Sequence, residues 1–312
     1  MDRLLCNVKR VIIPRVHAVG RRLDRTASLT AQVNAAQRAA ETLRPPGRRL
    51  LDDPYSRHFV QHPALRAALS HRRSADAALR MLDGLWGGLH AHIALRVRYA
   101  DDACAAAISE GIDQLVLLGA GFDTTSLRRS GTALTIFEVD APATQADKRP
   151  VVERLLPPDR ECELVWVPCD FEHDRLRQTL LESGFDAARA SLVIWLGVTP
   201  YLTRGAIDAT LADLAALCAP RSRLVVDYIQ AGVVAAHTQW KSAGRVARVV
   251  ARRGEPYRSD FTQAGFDATL TAHGFAPREH LSVSALLQRY DPAAESRLSA
   301  DDWLSVATAQ RG

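Results

Sequence analysis

Five short, almost unbroken apolar runs constrain this chain more than any other feature: Gln114–Leu118, Leu134–Phe137, Glu163–Val167, Ser191–Trp195 and Arg223–Asp227. Each has the length of a strand and lacks the alternation of a half-exposed one. Both faces are therefore expected to be buried, as in a parallel sheet covered by helices. The intervening segments are long enough for right-handed crossover helices. Strands alternating with helices predict a doubly wound, Rossmann-like α/β fold, to which Leu304–Ala309 adds a last strand.

The first hundred residues have a different texture. Ala27–Leu43 is rich in Ala and Gln and predicts a helix that stops at Pro45-Pro46-Gly47. A turn-like Leu51–Tyr55 leads to helical stretches at Ala64–Leu69 and Ala75–Leu85, and Gly87-Gly88 separates these from a helix over His90–Ile108. The expected organisation is a helical cap over residues 1–110 and a Rossmann-like domain over 111–312, packed as one unit. An insertion is expected near 232–256.

Bulk composition narrows the function classes. With 47% hydrophobic and 24% charged residues the chain is ordinary globular material, and a formal charge of +5 gives no ground for a nucleic-acid partner. The densest basic stretch, Arg3–Arg25, lies outside any motif. Cys6, Cys104, Cys162, Cys169 and Cys218 are scattered and form no CxxC, so neither a disulfide framework nor a zinc site is expected, and a cytoplasmic setting fits. No apolar run spans a bilayer, and the apolar centre of Met1–Gly20 is too short for a secretory signal.

The chemistry-bearing residues cluster at strand ends. Leu118-Gly119-Ala120-Gly121-Phe122-Asp123-Thr124 follows the first strand; glycines there let the main chain turn tightly and approach a ligand outside the carboxyl ends of the strands. A dinucleotide fingerprint asks for a third glycine where this chain has Thr124. Phe137-Glu138-Val139-Asp140 closes the second strand, and Asp140 either accepts from ribose hydroxyls or caps the helix ahead of Pro142. Asp170-Phe171 follows the third strand, where a carboxylate can accept from an adenine amino group beside a packed ring, or merely cap the next helix. Glycine, acid, then acid plus aromatic suit an adenosyl ligand.

These residues resemble the leucine carboxyl methyltransferase-like family of S-adenosylmethionine-dependent O-methyltransferases, over roughly residues 25–228. The resemblance is carried by Arg25-Thr26-Ala27, Asp52-Asp53-Pro54-Tyr55, the run Leu95 to Asp102, Leu118 to Thr124, Phe137 to Pro142 with Lys148-Arg149, and Gly197 to Leu202. It implies a class I methyltransferase fold, a seven-stranded sheet under an N-terminal helical cap, and S-adenosylmethionine as cofactor. It also implies Arg96 at the methionine carboxylate with Arg98 as a second contact, Gly119, Ala120, Gly121 and Asp123 along the cofactor, Glu138 and Asp140 on the ribose side, and Asp170 with Phe171 at the adenine. Family members commonly carry a glutamate where this chain has Leu196, also a cofactor-site position.

Methyl transfer is an in-line displacement that depends on alignment. A carboxylate acceptor needs no base, whereas a hydroxyl acceptor benefits from one. Tyr201 and His92 are the catalytic candidates, with His90 and His173 as further possible bases, and helices around Arg25 and Tyr55 are expected to form a lid. The expected acceptor is a hydroxyl or carboxylate of a small molecule, in keeping with an Arg- and Ala-rich bacterial composition and a role in specialised metabolism. Protein carboxyl methylation, a nicotinamide-dependent oxidoreductase and a non-catalytic protein on the same fold are the competing readings.

Overall fold

The computed structural model describes residues 29–171 and 174–312. Four helices precede the sheet: α1 (Leu29–Thr42), α2 (Pro63–Ala68), α3 (Arg72–Leu85) and α4 (Leu89–Ser109). Then follow β1 (Gln114–Leu118), α5 (Thr125–Arg128), β2 (Thr135–Asp140), α6 (Pro142–Leu155), β3 (Glu163–Pro168), α7 (Leu176–Glu182), β4 (Ser191–Trp195), α8 (Arg204–Leu217) and β5 (Arg223–Ile229). The chain ends with α9 (Lys241–Arg252), α10 (Gln263–Ala272), β6 (Phe275–Ser282), α11 (Val283–Tyr290) and β7 (Leu304–Arg311).

The sheet has seven strands in the order β3-β2-β1-β4-β5-β7-β6. Strands β1 to β5 pair in parallel, and β7 lies antiparallel between β5 and β6. The order reverses at β1, where its neighbours are β2 on one side and β4 on the other. Ligands of open α/β sheets bind at such a switch point, beyond the carboxyl ends of the strands. This is a Rossmann-like class I methyltransferase fold.

The unbroken apolar runs have the physical cause expected of them. Leu115 and Leu117 of β1 join one hydrophobic cluster with Leu192 and Ile194 of β4, whereas Val116, Leu118, Val193 and Trp195 join the cluster on the opposite face. Alternate side chains thus enter two different cores, and neither set meets water. Helix α4 belongs to the first of these cores through Ala91, Ala94, Leu95 and Ala107. This last helix ahead of β1 is therefore packed into the sheet's own core, whereas α1 and α3 bury their apolar residues in smaller clusters outside it.

The remaining differences have local reasons. Strand β6 was not expected, because Pro277, Arg278, Glu279 and His280 break any apolar pattern; it is an edge strand with a register shift between Pro277 and Glu279. The region expected as an insertion near 232–256 holds α9, amphipathic, with Ala243, Val246 and Val250 buried on one face. The first helix begins the description at Leu29; Met1–Gly20, Arg3–Arg25, Cys6 and the lid role of Arg25 lie outside the described residues, as does His173. Among the described residues no helix is long and apolar enough to cross a membrane.

One buried ion pair fixes β2 to α6. Lys148 Nζ lies 2.6 Å from Glu138 Oε2, with both side chains about 1% exposed, and Ser126 Oγ donates to Glu138 Oε1 at 2.8 Å. Removing one partner strands the other charge in the core, at a cost of about 3–5 kcal/mol. Lys148→Met is expected to lose stability on that scale in urea denaturation, and the double variant with Glu138→Leu is expected to recover most of it.

Candidate functional site

The ends of β1, β2, β3 and β4 open into a cleft of about 630 Å³. Its floor is the glycine turn after β1. Gly119 and Gly121 hold φ of +64° and +46°, a region that costs any Cβ-bearing residue. A Cβ on Gly119 would also stand 2.3 Å from Val198 Cγ2, so the loop after β4 closes on the glycine turn without room for one more carbon.

Asp140 locks this turn. Its carboxylate accepts from the Gly121 amide and, at 2.7 Å, from the Ala141 amide. It does not cap α6, whose first turn carries no side-chain cap. Burial pushes the Asp140 carboxyl above its usual range, against the two amides and the nearby Lys148 charge. Asp123 also lines the cleft and accepts from Thr125 N at 2.7 Å. Burial acts to raise its pKa, but the charges of Arg128, Lys148 and Arg38 prevail and hold it below the carboxylate range.

The N-terminal helices reach the same turn from outside. Arg38 of α1 donates to the Phe122 carbonyl at 2.5 Å and to Asp53 Oδ2 at 2.9 Å, and Phe59 stacks on Phe122 with centroids 5.3 Å apart. Thr30, Ala31 and Asn34 of α1 form one wall of the cleft, and Gly254, Glu255 and Pro256 form another. The Thr30 hydroxyl donates to Glu255, joining the two walls.

On the far side stands a cluster built on Asp227 in β5, one position past the last residue of that strand paired with β4. Arg96 Nη1 donates to Asp227 Oδ2 at 2.6 Å, His92 Nε2 lies 3.2 Å from the same oxygen, and Gly197 N donates to Oδ1 at 2.7 Å. Burial raises the Asp227 pKa, yet Arg96 and His92 outweigh it and keep the carboxyl below its usual range. Gly197 has φ +76°, and a Cβ there would come within 2.8 Å of Arg96 Nη2. The buried Arg96 Nε has no hydrogen-bond partner among the described residues. Asp227 was read from the sequence only as the tail of a strand; a carboxylate closing the run Leu-Val-Val-Asp was the available signal.

Most of the residues singled out from the sequence meet in this cleft: Arg96, Gly119, Ala120, Gly121, Asp123, Asp140, Asp170, Phe171, Leu196 and Tyr201 all line it. Asp170 is not the cap of α7, which begins after Arg175 without a side-chain cap. Three assignments are corrected. Arg98 is two residues beyond Arg96 on α4, which turns it to the opposite side; it is exposed, donates to the Leu50 carbonyl at 3.1 Å and lies 5.0 Å over the Tyr290 ring. Glu138 lies one strand repeat below Asp140, inside the core and bound to Lys148, out of reach of a ligand.

The third correction is His92. It is 0% exposed, lies behind Asp227 and does not line the cleft, so it cannot take a proton from an acceptor there. Burial holds its imidazole below the usual range, with Arg96 acting the same way and Asp227 opposing. His90 is likewise enclosed, 2.8 Å from Glu41 Oε2. Tyr201 does line the cleft. Its ring lies 5.3 Å from Tyr257, and burial with the nearby Glu255 charge pushes its phenol far up, so it stays protonated and serves as a hydrogen-bond donor rather than a base. Among the described residues no group of three or more His, Cys, Asp or Glu side chains is arranged to hold a metal ion.

With this geometry in place, the leucine carboxyl methyltransferase family model matches residues 31–215. The chain belongs to that family. YktD of Bacillus subtilis, named as a candidate S-adenosyl-L-methionine-dependent methyltransferase, is 30% identical over 209 residues, covering 66% of this chain and 67% of that protein. Relatives with the same designation from Mycobacteroides abscessus and Mycolicibacterium smegmatis are 32% and 33% identical, covering 64% and 66% of this chain and 62% and 68% of their own lengths. A crystal structure of a DUF574 family protein from Streptomyces avermitilis superposes with a TM-score of 0.57 over 93% of this chain and 100% of its own, at 18% identity. A candidate methyltransferase from Thermobifida fusca gives 0.52 over 88% and 94% at 13% identity. These two show a shared fold.

This family member is an S-adenosylmethionine-dependent methyltransferase, and the cleft has the features such a cofactor requires. Backbone approach is open at Gly121, where a Cβ would meet nothing nearer than 3.7 Å; Asp140 offers a carboxylate, and Arg96 an unpaired donor.

Two substitutions test these contacts. Gly119→Ala is expected to cost about 1–2 kcal/mol for its left-handed backbone plus the clash with Val198; adding Val198→Ala relieves only the clash, a partial recovery visible in thermal unfolding. His92 stays neutral in the fold, so below its unfolded pKa of about 6.5 the unfolded chain binds a proton the fold resists, and stability falls as pH drops. Stability of His92→Asn is expected to vary less than wild type between pH about 7.5 and 5.5; parallel curves would show that the imidazole titrates alike in the folded and unfolded chain, and would overturn this reading.

Proposed function

We propose that this methyltransferase is an O-methyltransferase acting on a hydroxyl or carboxylate of a small molecule. The observation that carries the proposal is the edge of the cleft where Arg96, Tyr201 and Tyr257 converge. The Arg96 guanidinium and the Tyr201 phenol, held protonated and accepting from Tyr257 behind it, present donors to one place, which suits an acceptor oxygen that bears negative charge. A carboxylate arrives in that state and needs no base.

In this reading the glycine turn and Asp140 hold the ribose end of S-adenosylmethionine, and Asp170 with Phe171 holds the adenine. Arg96 Nε and its neighbouring amides meet the methionine carboxylate, and Leu196 lies against the cofactor without adding charge. The cofactor supplies an electrophilic methyl on a sulfonium. The chain's own residues align the acceptor oxygen with it and exclude water, and the Gly254–Arg258 loop is the wall that closes, against a fixed α1. The helical segment up to residue 110 then acts as a cap on a cofactor domain of residues 111–312. The named relatives are bacterial, in keeping with a role on a bacterial metabolite.

The test is thermal unfolding with S-adenosylmethionine, S-adenosylhomocysteine, NAD or NADP. A ligand at about a hundred times its Kd stabilises by about 2.7 kcal/mol. Stabilisation by the two sulfur ligands alone is expected, with affinity for S-adenosylhomocysteine at least tenfold weaker in Asp140→Asn; stabilisation by a nicotinamide alone returns the oxidoreductase reading, and none by any ligand returns a non-catalytic one. Arg96→Ala is a poorer test, because it also leaves Asp227 buried and unpaired.

A further inference from the structure

A second, smaller chamber of about 70 Å³ adjoins the cleft. Arg96, Gly197 and Tyr201 line both spaces and form the partition between them. Its other walls come from α4 and α9: Leu89 and Ile93 on one side, Val246 and Val250 on the other, with Trp86 and Tyr257 closing it. It stands beyond the ends of β4 and β5, on the side of the partition away from the glycine turn.

The lining is not all apolar: Thr30, Asn34, Asp227 and Arg253 also border the chamber, and α1 adds one more polar side chain. Gln37 of α1 lines this chamber and not the cleft, and it is only 2% exposed. Its Oε1 lies 3.3 Å from His90 Nδ1, while its Nε2 is buried with no hydrogen-bond partner among the described residues. A buried amide left half-satisfied costs on the order of 1–3 kcal/mol, which a ligand atom placed there would recover.

We propose that this chamber is the acceptor subsite, and that it takes a compact, mainly apolar group of about six heavy atoms bearing a polar oxygen at its far end. The proposal rests on the cofactor reading of the cleft. The size follows from the volume: one water needs about 10–15 Å³ on this measure, so the space holds roughly five to seven water-sized positions, a single ring or a branched aliphatic group. The chemistry follows from the walls. Leu89, Ile93, Val246 and Val250 favour an apolar body, Gln37 selects an oxygen at the far end, and the partition leaves the methyl-accepting oxygen beside Tyr201 at the cleft. In transfer, a lone pair of that oxygen forms the new bond to the methyl carbon as the carbon–sulfur bond breaks and its electron pair returns to sulfur; a carboxylate acceptor releases no proton.

The test uses full-length protein saturated with S-adenosylhomocysteine and two probes, benzoate and 4-hydroxybenzoate, titrated by calorimetry. Wild type is expected to bind 4-hydroxybenzoate more tightly than benzoate, by about fivefold or more. Val250→Trp, which fills the chamber, is expected to weaken both probes at least tenfold while S-adenosylhomocysteine affinity stays within twofold. Val249→Phe, at a half-buried position on the same wall, serves if Val250→Trp does not fold. Gln37→Met is expected to abolish the preference for the hydroxylated probe. No binding of either probe to the loaded wild type, or binding untouched by the filling variants, overturns the subsite. Failure of S-adenosylhomocysteine itself to bind wild type is a different result and overturns the cofactor reading beneath it.

Discussion

The carboxylate of Asp227 holds the catalytic end of this molecule together. It is a charge inside the protein, 1% exposed, and it is tolerable there only because Arg96, His92 and the Gly197 amide surround it. Those three partners come from α4 and from the turn after β4, while Asp227 itself belongs to β5. One buried carboxylate therefore sets the position of the helix ahead of the sheet, the strand-end turn that borders the cleft, and the guanidinium shared by cleft and chamber. Replacing a pair of this kind with apolar residues is often harmless to stability, whereas removing one member is costly. Its value here lies in where it puts Arg96.

A second constraint acts from the other side. The glycine turn after β1 is gripped by Asp140 from below and by Arg38 of α1 through the Phe122 carbonyl from above. Because α4 shares the sheet's core and α1 packs on it, the N-terminal helices cannot move as a loose lid without disturbing the turn. Adaptability is better sought in the Gly254–Arg258 loop, which meets α1 through the Thr30–Glu255 contact.

Much of the site was legible before any coordinates. The unbroken apolar runs announced a sheet buried on both faces, and strand ends are where such sheets bind ligands, so Gly119, Gly121, Asp140, Asp170 and Phe171 could be picked out by position alone. Arg98, Glu138 and His92 were misplaced for one common reason. Each is a polar residue within two to four positions of a residue that lines the cleft, and sequence spacing does not say which side of an element faces the ligand. Helix α4 is buried nearly all round from His90 to Val97, so His92 and Arg96 lie in a stretch with no exposed face to calibrate its rotation.

The sequence by itself determined the fold class, the switch-point location of the site and the family, because those depend on local patterns: apolar run length, glycine at tight turns, acids at strand ends. Only the tertiary structure decided the partners of Arg96, the burial of Glu138 and His92, and the existence of the side chamber. These depend on residues far apart in the chain, as with Arg96 and Asp227, 131 positions apart, or Gln37 facing α9 across the chamber. Packing between distant segments chooses which polar atoms are satisfied and which are left open to a ligand, and no local pattern carries that choice.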